Sequence, residues 1–408
     1  MTLYDESDVA TLSVNRGLET RLRAELEEMR EGGVFKELLY LMGRQSAVVD
    51  IEGYGQTINL CSNNYLGLAD NPDVMKAIKD GTDRYGAGTA SVRFICGTFD
   101  IHRELESRIA DFLELPASLT YTSAWNAAEG LFAPLLGPED VIISDRLNHA
   151  CIIDGMRLSR SQRKIYEHMD MDSLKEALEA SRDARHRLVI TDGVFSMEGE
   201  IAPLPEIREL CDRHDAIMAI DDSHATGVLG DTGRGTPEHF GMHGEIDIIT
   251  STLGKALGGM AGGFTASSRA VIDYLIQNSR TQLFTNAVPA HSACGALAAI
   301  DHLETHPELI ARLRENTEHF RDNLIEMGYK PIPGGTPIVP VIIGETADAI
   351  NLSKQLLDEG VFVIGFGYPV VPRGEARIRC QISAGHDREH LDTALAALRS
   401  VGSRLGII

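Results

Sequence analysis

Between residues 117 and 266 the sequence repeatedly passes from a short apolar run to a stretch with helical spacing. The apolar runs lie near 117–122, 140–144, 187–192, 216–221, 247–251 and 262–266. Alternation of this kind is typical of a parallel or mostly parallel sheet that helices cover on both faces. We therefore predict an α/β fold with a large domain built on this sheet.

A change in the pattern near residue 287 indicates a second domain. Two long helical stretches are followed by shorter strand-like runs with helices between them, which is typical of a smaller α+β unit. We predict three parts: an arm helix and hairpin over residues 1–60, a large domain over 61–290, and a C-terminal domain over 291–408.

The N-terminal arm is predicted from spacing alone. Residues 17–30 carry apolar side chains at helical intervals, namely Leu18, Leu22, Leu26 and Met29. We expect this helix to contact either the core or a second subunit. Residues 48–60 alternate like a hairpin around Gly53 and Gly55.

The charge balance excludes several classes of partner. Lys and Arg number 38 against 60 Asp and Glu, which gives a formal net charge of −22. Binding to nucleic acid or to an anionic membrane requires a basic face, so we expect neither. No apolar run reaches the roughly 18–20 residues that span a bilayer, and the acidic stretch 1–8 lacks the apolar segment of a signal peptide. Six dispersed cysteines without a CxxC pair favour reduced thiols, no metal site and a cytoplasmic location.

One lysine stands in an unusual position, just after the apolar run that begins at 247. Lys255 lies between Gly254 and the pair Gly258-Gly259, and these glycines let a ligand approach the backbone closely. A lysine in such a pocket can lose its proton near neutral pH and attack a carbonyl group. The alternative is a surface lysine in a glycine-rich turn.

A second apolar run ends in carboxylates about thirty residues upstream. Asp221 and Asp222 close this run, and His224 follows them. The carboxyl end of a parallel strand is where α/β sheets bind ligands. Pyridoxal phosphate (PLP) requires a lysine for its aldehyde, a carboxylate for its pyridinium nitrogen and donors for its phosphate. Lys255 and Asp221 meet the first two requirements, so the pair predicts a PLP site, although buried caps and turns use the same residues.

The segment 121–130 offers a place for the phosphate. It leads a strand into a helix through small polar residues, and backbone N–H groups at a helix start bind anions. The alternative is an ordinary N-cap by Ser123. His149 begins another helix after a strand, where its ring is able to lie flat on a pyridine, although a lone histidine is more often structural.

Further candidates concern the substrate. Ser196 follows the run 187–192 at the same predicted edge, and Asn63 offers a side-chain amide in a turn, where paired asparagines usually only form the turn. Arg377 and Arg379 alternate on a strand, and we expect them to face opposite sides. One would then be free to bind a substrate carboxylate, and the other would face solvent or an acidic neighbour.

Seven motifs in chain order carry a resemblance to a known family. They are SNNYLGL at 62–68, SVRFICGT at 91–98, NHA at 148–150, DGVFSMEG at 192–199, DDSH at 221–224, TLGKALGG at 252–259 and YPVVPRGEARIR at 368–379. From about residue 30 onward the chain resembles the α-oxoamine synthases, which are PLP-dependent acyl-CoA:amino-acid C-acyltransferases of fold type I. The resemblance implies a mostly parallel seven-stranded sheet between helices and a smaller C-terminal α+β domain.

The resemblance also implies roles around the cofactor ring. Lys255 would bind PLP covalently, and Asp221 would hold the pyridinium N–H. His224 would contact the phenolic oxygen, His149 would stack on the ring, and Ser196 would line the ring pocket.

For the phosphate, the resemblance implies backbone contacts at Ala124 and Trp125 and a contact from Thr252. In family members, which are homodimers, the partner subunit also reaches the phosphate, here through Thr285 and Asn286. The remaining pair, Asn63 and Arg379, would bind the carboxylate of the amino acid.

Within the family, the segments 91–98 and 368–372 favour glycine and acetyl-CoA as substrates, with 2-amino-3-oxobutyrate and CoA as products. A serine palmitoyltransferase-like reaction of L-serine with a long-chain acyl-CoA is the alternative. A non-catalytic scaffold subunit is a third, which the presence of the lysine disfavours. The chain departs from the family pattern around the phosphate and the acyl entrance, and this leaves the acyl-CoA preference open; the departures are Ala128, Glu129, Ser251, Thr281 and Gln282.

Overall fold

The computed structural model describes residues 15–368 and 370–408; the acidic stretch 1–8 lies outside them. The helices are α1 Arg16–Glu31, α2 Pro72–Tyr85, α3 Asp100–Phe112, α4 Ala124–Leu135, α5 Ala150–Leu158, α6 Met171–Glu179, α7 Leu204–Arg213, α8 Thr236–His239, α9 Arg269–Asn278, α10 Arg280–Leu283, α11 Ala290–Thr305, α12 Glu308–Glu326, α13 Thr346–Asp358 and α14 Arg388–Arg404. The strands are β1 Val48–Ile51, β2 Gly55–Asn59, β3 Ala117–Tyr121, β4 Val141–Asp145, β5 Gln162–Tyr166, β6 Arg187–Asp192, β7 Ile217–Asp221, β8 Ile248–Thr252, β9 Gly263–Ser267, β10 Ile338–Gly344, β11 Val361–Phe362, β12 Ile364–Phe366 and β13 Ala376–Gln381.

The central sheet has seven strands in the order β3-β9-β8-β7-β6-β4-β5. Only β9 runs antiparallel to its neighbours in this sheet. The predicted mostly parallel seven-stranded sheet is therefore confirmed. The edge strand β5 was not located from the sequence, because its residues Gln162–Tyr166 are largely polar and mostly exposed.

Helices cover the central sheet on both faces, as predicted. Alternate residues of β6 pack into different hydrophobic clusters on the two faces of the sheet. Leu188 and Ile190 pack with α4, α5 and α9. Val189, between them, packs with the cluster that includes α3, α7 and α11. Because both faces are dry, ligands reach this sheet only at the strand ends.

The smaller unit is built on the antiparallel sheet β10-β13-β12, with α12, α13 and α14 packed around it. The hairpin β1-β2 joins this unit, because β2 pairs in parallel with β11 through Ile58 and Val361. Ile58 also lies in the same hydrophobic cluster as Ile378. The domain boundaries at residues 61 and 291 stay predictions.

The predicted arm helix is confirmed as α1, but the option of a core contact is wrong for the described chain. None of its residues is buried. Its apolar stripe is 40–45% exposed and consists of Leu18, Leu22, Leu26 and Met29. Over residues 15–368 and 370–408, no helix has the length and apolar character needed to cross a membrane.

Candidate active site

Polar side chains gather where the parallel strands of the central sheet end. Asp192 closes β6, Asp221 closes β7 and Thr252 closes β8. The antiparallel β9 begins at this edge with Gly263, the register partner of Thr252. The segments that follow the strands carry the predicted residues His149, Ser196, His224 and Lys255, so the topology directs all of them to one edge.

Lys255 lies in a low-dielectric pocket with charged neighbours. Burial lowers the pKa of its amine to about 8, although the charge of Asp221, and that of Asp192 when it is ionised, oppose this shift. The Arg379 guanidinium lowers the pKa further. These interactions couple Lys255 to both strand-end carboxylates and to the C-terminal domain. With this pKa, about a tenth of its amine is unprotonated at pH 7.

The neighbouring carboxylates Asp221 and Asp222 have different partners. Asp221 accepts hydrogen bonds from the Ser223 N–H at 3.0 Å and the Thr250 hydroxyl at 3.2 Å. Asp222 is fully buried and accepts from the Thr236 hydroxyl at 2.6 Å and its N–H at 3.1 Å. Burial raises the pKa of Asp222 to about 7. Asp222 therefore fastens the segment around Thr236, while Asp221 acts electrostatically on Lys255.

His224 is buried beside Tyr65, and its Nδ1 lies 2.8 Å from the Tyr65 hydroxyl. Burial lowers the pKa of His224 well below its ordinary value, and the charges of Lys255 and Arg379 act in the same direction. Burial also raises the pKa of Tyr65. A neutral imidazole and a neutral phenol therefore form this pair. Tyr65 belongs to the motif at 62–68, but sequence reasoning gave it no role.

His149 caps the start of α5 with its own ring. Its Nδ1 accepts from the Cys151 N–H at 3.2 Å, which leaves Nε2 to carry the proton of the neutral ring. Burial lowers the pKa of His149. The Trp125 ring stands edge-on to it, 6.1 Å between centroids. The imidazole is thus held neutral and in a fixed orientation.

Asp192 is a site residue that the sequence analysis missed. It is 4% exposed, and its Oδ2 accepts from the His149 N–H at 3.1 Å. Its Oδ1 is buried without a partner among the described residues. Burial raises the pKa of Asp192 well above its ordinary value, and the Asp221 charge adds to the shift. Its position at a strand end, like that of Asp221, was the signal available in the sequence.

The start of α4 meets the requirement for an anion site. Ser123 is its N-cap and accepts from the Asn126 N–H at 3.1 Å, so the N-cap interpretation is also correct. The N–H groups of Ala124 and Trp125, in the first turn, have no intrahelical partner. A Cβ at Gly263 would lie 2.3 Å from the Ala124 nitrogen, so only glycine leaves this helix start open.

Arg377 and Arg379 both reach the segment that follows β6. Arg377 binds Glu198 at 3.1 Å and Glu375 at 3.2 Å, and Arg379 donates to the Ser196 carbonyl at 2.8 Å. Our expectation that they face opposite sides was wrong, because side chains two residues apart on a strand share a face. The expected acidic neighbour of one arginine is present.

Gln381 links Arg379 to Asn63. With its carboxamide oxygen turned toward Arg379, Gln381 accepts from the guanidinium at 3.0 and 3.2 Å, and its nitrogen lies 2.5 Å from Asn63 Oδ1. Gln381 is 1% exposed. The two residues predicted to bind a carboxylate are thus brought together by a third that the sequence analysis missed.

Thr285 and Asn286 lie at the surface of this chain. Asn286 is exposed and forms an isolated antiparallel β-bridge with Val92. Large exposed apolar side chains lie beside this bridge. These are Phe94 at 62%, Ile95 at 68% and Phe284 at 67% exposure.

The departures from the family pattern lie around the start of α4. Thr281 donates to the Asn126 carbonyl at 2.7 Å and so supports the first turn. The Ser251 hydroxyl is bound to Thr226 at 2.9 Å in the core. Ala128 is buried against α5. These three substitutions therefore have structural partners of their own, whereas the buried side-chain oxygen of Gln282 has none among the described residues.

These groups fit PLP chemically. The site combines an amine with a lowered pKa, a strand-end carboxylate that acts on it, a fixed neutral imidazole and an open helix start. Across the described ranges, no group of three or more His, Cys, Asp and Glu side chains is arranged to hold a metal ion.

Comparison with known proteins identifies the family. The model for class I and II aminotransferases matches residues 55–398. This protein belongs to that family. A 2-amino-3-ketobutyrate coenzyme A ligase of Escherichia coli (strain K12) is 44% identical over 390 residues, which cover 95% of this chain and 98% of the relative. An 8-amino-7-oxononanoate synthase of Exiguobacterium sibiricum is 46% identical over 387 residues, 95% of this chain and 99% of the relative.

The solved structures place the chain in the same group of enzymes. A high-resolution structure of SPT, serine palmitoyltransferase, with its PLP internal aldimine superposes with a TM-score of 0.92 at 28% identity, over 97% of this chain and all of that one. The protein is thus a fold-type I α-oxoamine synthase, a PLP-dependent acyltransferase.

Proposed function

We propose that this α-oxoamine synthase condenses glycine with acetyl-CoA to give 2-amino-3-oxobutyrate and CoA. The observation that carries the proposal is a lysine with a pKa of about 8 beside Asp221, at the same edge as the cluster of Arg379, Gln381 and Asn63. The choice of substrates is supported by the likeness to the 2-amino-3-ketobutyrate coenzyme A ligase over nearly the whole chain.

The residues have distinct tasks in this reaction. PLP, when bound, supplies an electron sink for the carbanion that attacks the thioester. Lys255 would hold the cofactor covalently, and its amine, once free, would take the α-proton of glycine, for which a pKa near neutrality suits it. Asp221 keeps the pyridine nitrogen protonated. Arg379 and Asn63 bind the glycine carboxylate in a position that fixes the α-carbon.

Around the cofactor, His149 packs against the ring, His224 contacts the phenolic oxygen and Ser196 lines the pocket. Ala124, Trp125 and Thr252 bind the phosphate. Attachment through Lys255 is tested with Lys255→Ala, which should lose both the visible absorbance of bound PLP and the label after borohydride reduction and mass spectrometry. Lys76→Ala, at an exposed lysine, is the control.

A second candidate product, 8-amino-7-oxononanoate, is favoured by the relative that is 46% identical. Its amine lies beside a ketone on a nine-carbon chain. Such a chain corresponds to a seven-carbon dicarboxylic acyl group from acyl-CoA and two carbons from L-alanine, whose carboxyl group leaves as CO2. The third candidate is L-serine with palmitoyl-CoA. We expect glycine with acetyl-CoA to give the highest kcat/KM by at least about tenfold, a difference of about 1.4 kcal/mol. A higher kcat/KM for either other pair would replace the proposed substrates.

We further propose a homodimer in which Thr285 and Asn286 complete the phosphate site of the partner subunit. The support is their surface position beside exposed Phe94, Ile95 and Phe284, since apolar groups of this size usually mark an interface. The exposed stripe of α1 adds a second such surface. The six free thiols suit a reducing compartment, so we assign the enzyme to the cytoplasm.

A further inference from the structure

His168 bridges two carboxylates outside the cofactor site. Its Nδ1 lies 2.9 Å from Asp145 Oδ1, and its Nε2 lies 3.1 Å from Glu200 Oε2. The Asp145 carboxylate is 1% exposed and also accepts from the backbone N–H groups of Leu147 and Met169. Because both ring nitrogens face acceptors, the arrangement is satisfied only when His168 carries two protons.

Glu200 closes a tight loop that begins directly after β6. The Phe195 N–H donates to the Glu200 carbonyl at 3.0 Å, and the Gly199 N–H donates to the Phe195 carbonyl at 2.8 Å. The Phe195 ring also packs edge-on against the His168 ring, with 4.4 Å between the ring centroids. A shift of Glu200 is therefore transmitted to Phe195 and to the next residue, Ser196.

The C-terminal domain holds the same loop from the other side. Arg379 donates to the Ser196 carbonyl, Arg377 to the Met197 carbonyl at 3.1 Å, and Thr336 to the Gly199 carbonyl at 2.8 Å. His168 supplies the ion pair from the large domain. The loop thus sets how Arg379 lies relative to the central sheet.

We propose that doubly protonated His168 is a positioning residue that fixes the loop 193–200 and, through the Ser196 carbonyl, the orientation of Arg379 for binding the amino-acid carboxylate. The inference rests on the role proposed above for Arg379. When His168 loses its proton, Nδ1 keeps its hydrogen bond to buried Asp145. The lone pair on Nε2 then faces the Glu200 carboxylate, so this contact opens.

The charges around the imidazole determine the direction of the pH dependence. Burial opposes its charge, but hydrogen bonds and electrostatic attraction from Asp145 and Glu200 outweigh burial and raise the pKa of His168. Glu198 is a further charged neighbour, on which the His168 charge acts, and it is paired with Arg377. The loop is therefore held at low pH and released as the pH rises through this pKa.

The test compares wild type with Glu200→Gln. A glutamine amide at 200 is able to donate to the neutral Nε2, so this variant keeps the loop closed without a second proton. The dissociation constant of glycine, from the change in visible absorbance, should be equal in both proteins at pH 6. At pH 9 the dissociation constant of glycine should be at least about fivefold higher in wild type than in Glu200→Gln. Fivefold is the lower end of the effects usually seen for coupled sites. A ratio that does not change with pH overturns the proposal.

Two further variants separate the possible failures. His168→Gln cannot bridge both carboxylates, so it should bind glycine weakly at every pH; wild-type affinity would overturn the proposal. Arg379→Lys should also weaken glycine binding, since it loses the bidentate fork. Unchanged binding in Arg379→Lys would instead refute the proposed carboxylate site itself.

Stability of the cofactor-free protein gives a readout that needs neither substrate nor activity. Because folding raises the pKa of His168, its stabilisation is fully present below the unfolded value of about 6.5 and is lost as pH rises through the folded value. The Tm of wild type should therefore fall relative to Glu200→Gln between pH 6 and 9. A constant Tm difference would show that His168 does not titrate in this range and would overturn the proposal.

Discussion

Asp192 and Asp221 are register partners at the ends of neighbouring parallel strands. Two carboxylates this close do not both ionise readily when buried, and burial with the Asp221 charge raises the pKa of Asp192 well above its ordinary value. The raised pKa favours the protonated form of Asp192, whereas the negative charge of Asp221 acts on Lys255.

Asp192→Asn should therefore have only a small effect on PLP binding. An amide reproduces a protonated carboxyl, with its oxygen accepting from the His149 N–H. We expect PLP affinity, measured by equilibrium dialysis, to stay within about threefold of wild type, or about 0.7 kcal/mol. Asp192→Ala removes both polar atoms and leaves the His149 N–H without its acceptor, so it should bind PLP at least about tenfold more weakly. A large loss in Asp192→Asn would mean that Asp192 is ionised.

Asp221→Asn should instead impair the reaction of glycine while PLP attachment is retained. The amide retains the shape but not the charge that keeps the pyridine nitrogen protonated. PLP should still attach to Lys255, while exchange of the glycine α-proton for deuterium falls about a hundredfold or more, or about 2.7 kcal/mol. NMR of labelled glycine measures this rate.

The control for this prediction is the adjacent residue. Asp222→Asn disturbs the hydrogen bonds to Thr236, so it should lower Tm and leave exchange within a fewfold of wild type. Equal losses of exchange in the two variants would assign the wrong carboxylate to the cofactor.

Cofactor attachment should depend on pH through Lys255. The unprotonated amine attacks the aldehyde, and its pKa of about 8 makes about a tenth of it reactive at pH 7 and half at pH 8. The rate at which visible absorbance appears after PLP is added to cofactor-free protein should rise from pH 6.5 and level off above pH 9. A rate that keeps rising toward pH 10.5 would indicate an ordinary lysine.

The proposed dimer makes a prediction for α1. Leu22→Asp with Leu26→Asp places two charges in the exposed apolar stripe. Both subunits carry the change, so each dimer loses the burial of four leucines at about 1.5 kcal/mol each, about 6 kcal/mol in all. The dimer dissociation constant should therefore rise by about ten-thousandfold or more in analytical ultracentrifugation. Glu27→Asp with Glu31→Asp, on the opposite and exposed face of α1, should leave it unchanged. An unaffected dimer would show that α1 packs elsewhere.

The sequence predicted those parts of the fold that rest on periodicity. The strands of the central sheet stand out because both of their faces are apolar, whereas edge strand β5, with Gln162, Arg163 and Lys164, has no such run. Lys255 and Asp221 were singled out because each follows an apolar run, a pattern that Asp222, the hydrogen-bond partner of Thr236, shares.

Contacts between distant segments could not be predicted in the same way. Gln381 looks like an ordinary strand residue until folding places it between Arg379 and Asn63. His168 has no partner within its own motif, because Asp145 and Glu200 come from two other segments. Asp192 closes a strand of the central sheet as Asp221 does, so the same argument applied to it, but the sequence analysis gave it no role.

The parallel pairing of β2 with β11 has a consequence for how the chain is made. Ile58 leaves the ribosome early, and its partner Val361 emerges only after most of the chain has been synthesised. Until then the edge of the hairpin is open to wrong partners, and closing so long a loop is slow. Nascent chains stalled before residue 361 should therefore bind chaperones through the first sixty residues, and those stalled well beyond it should be released.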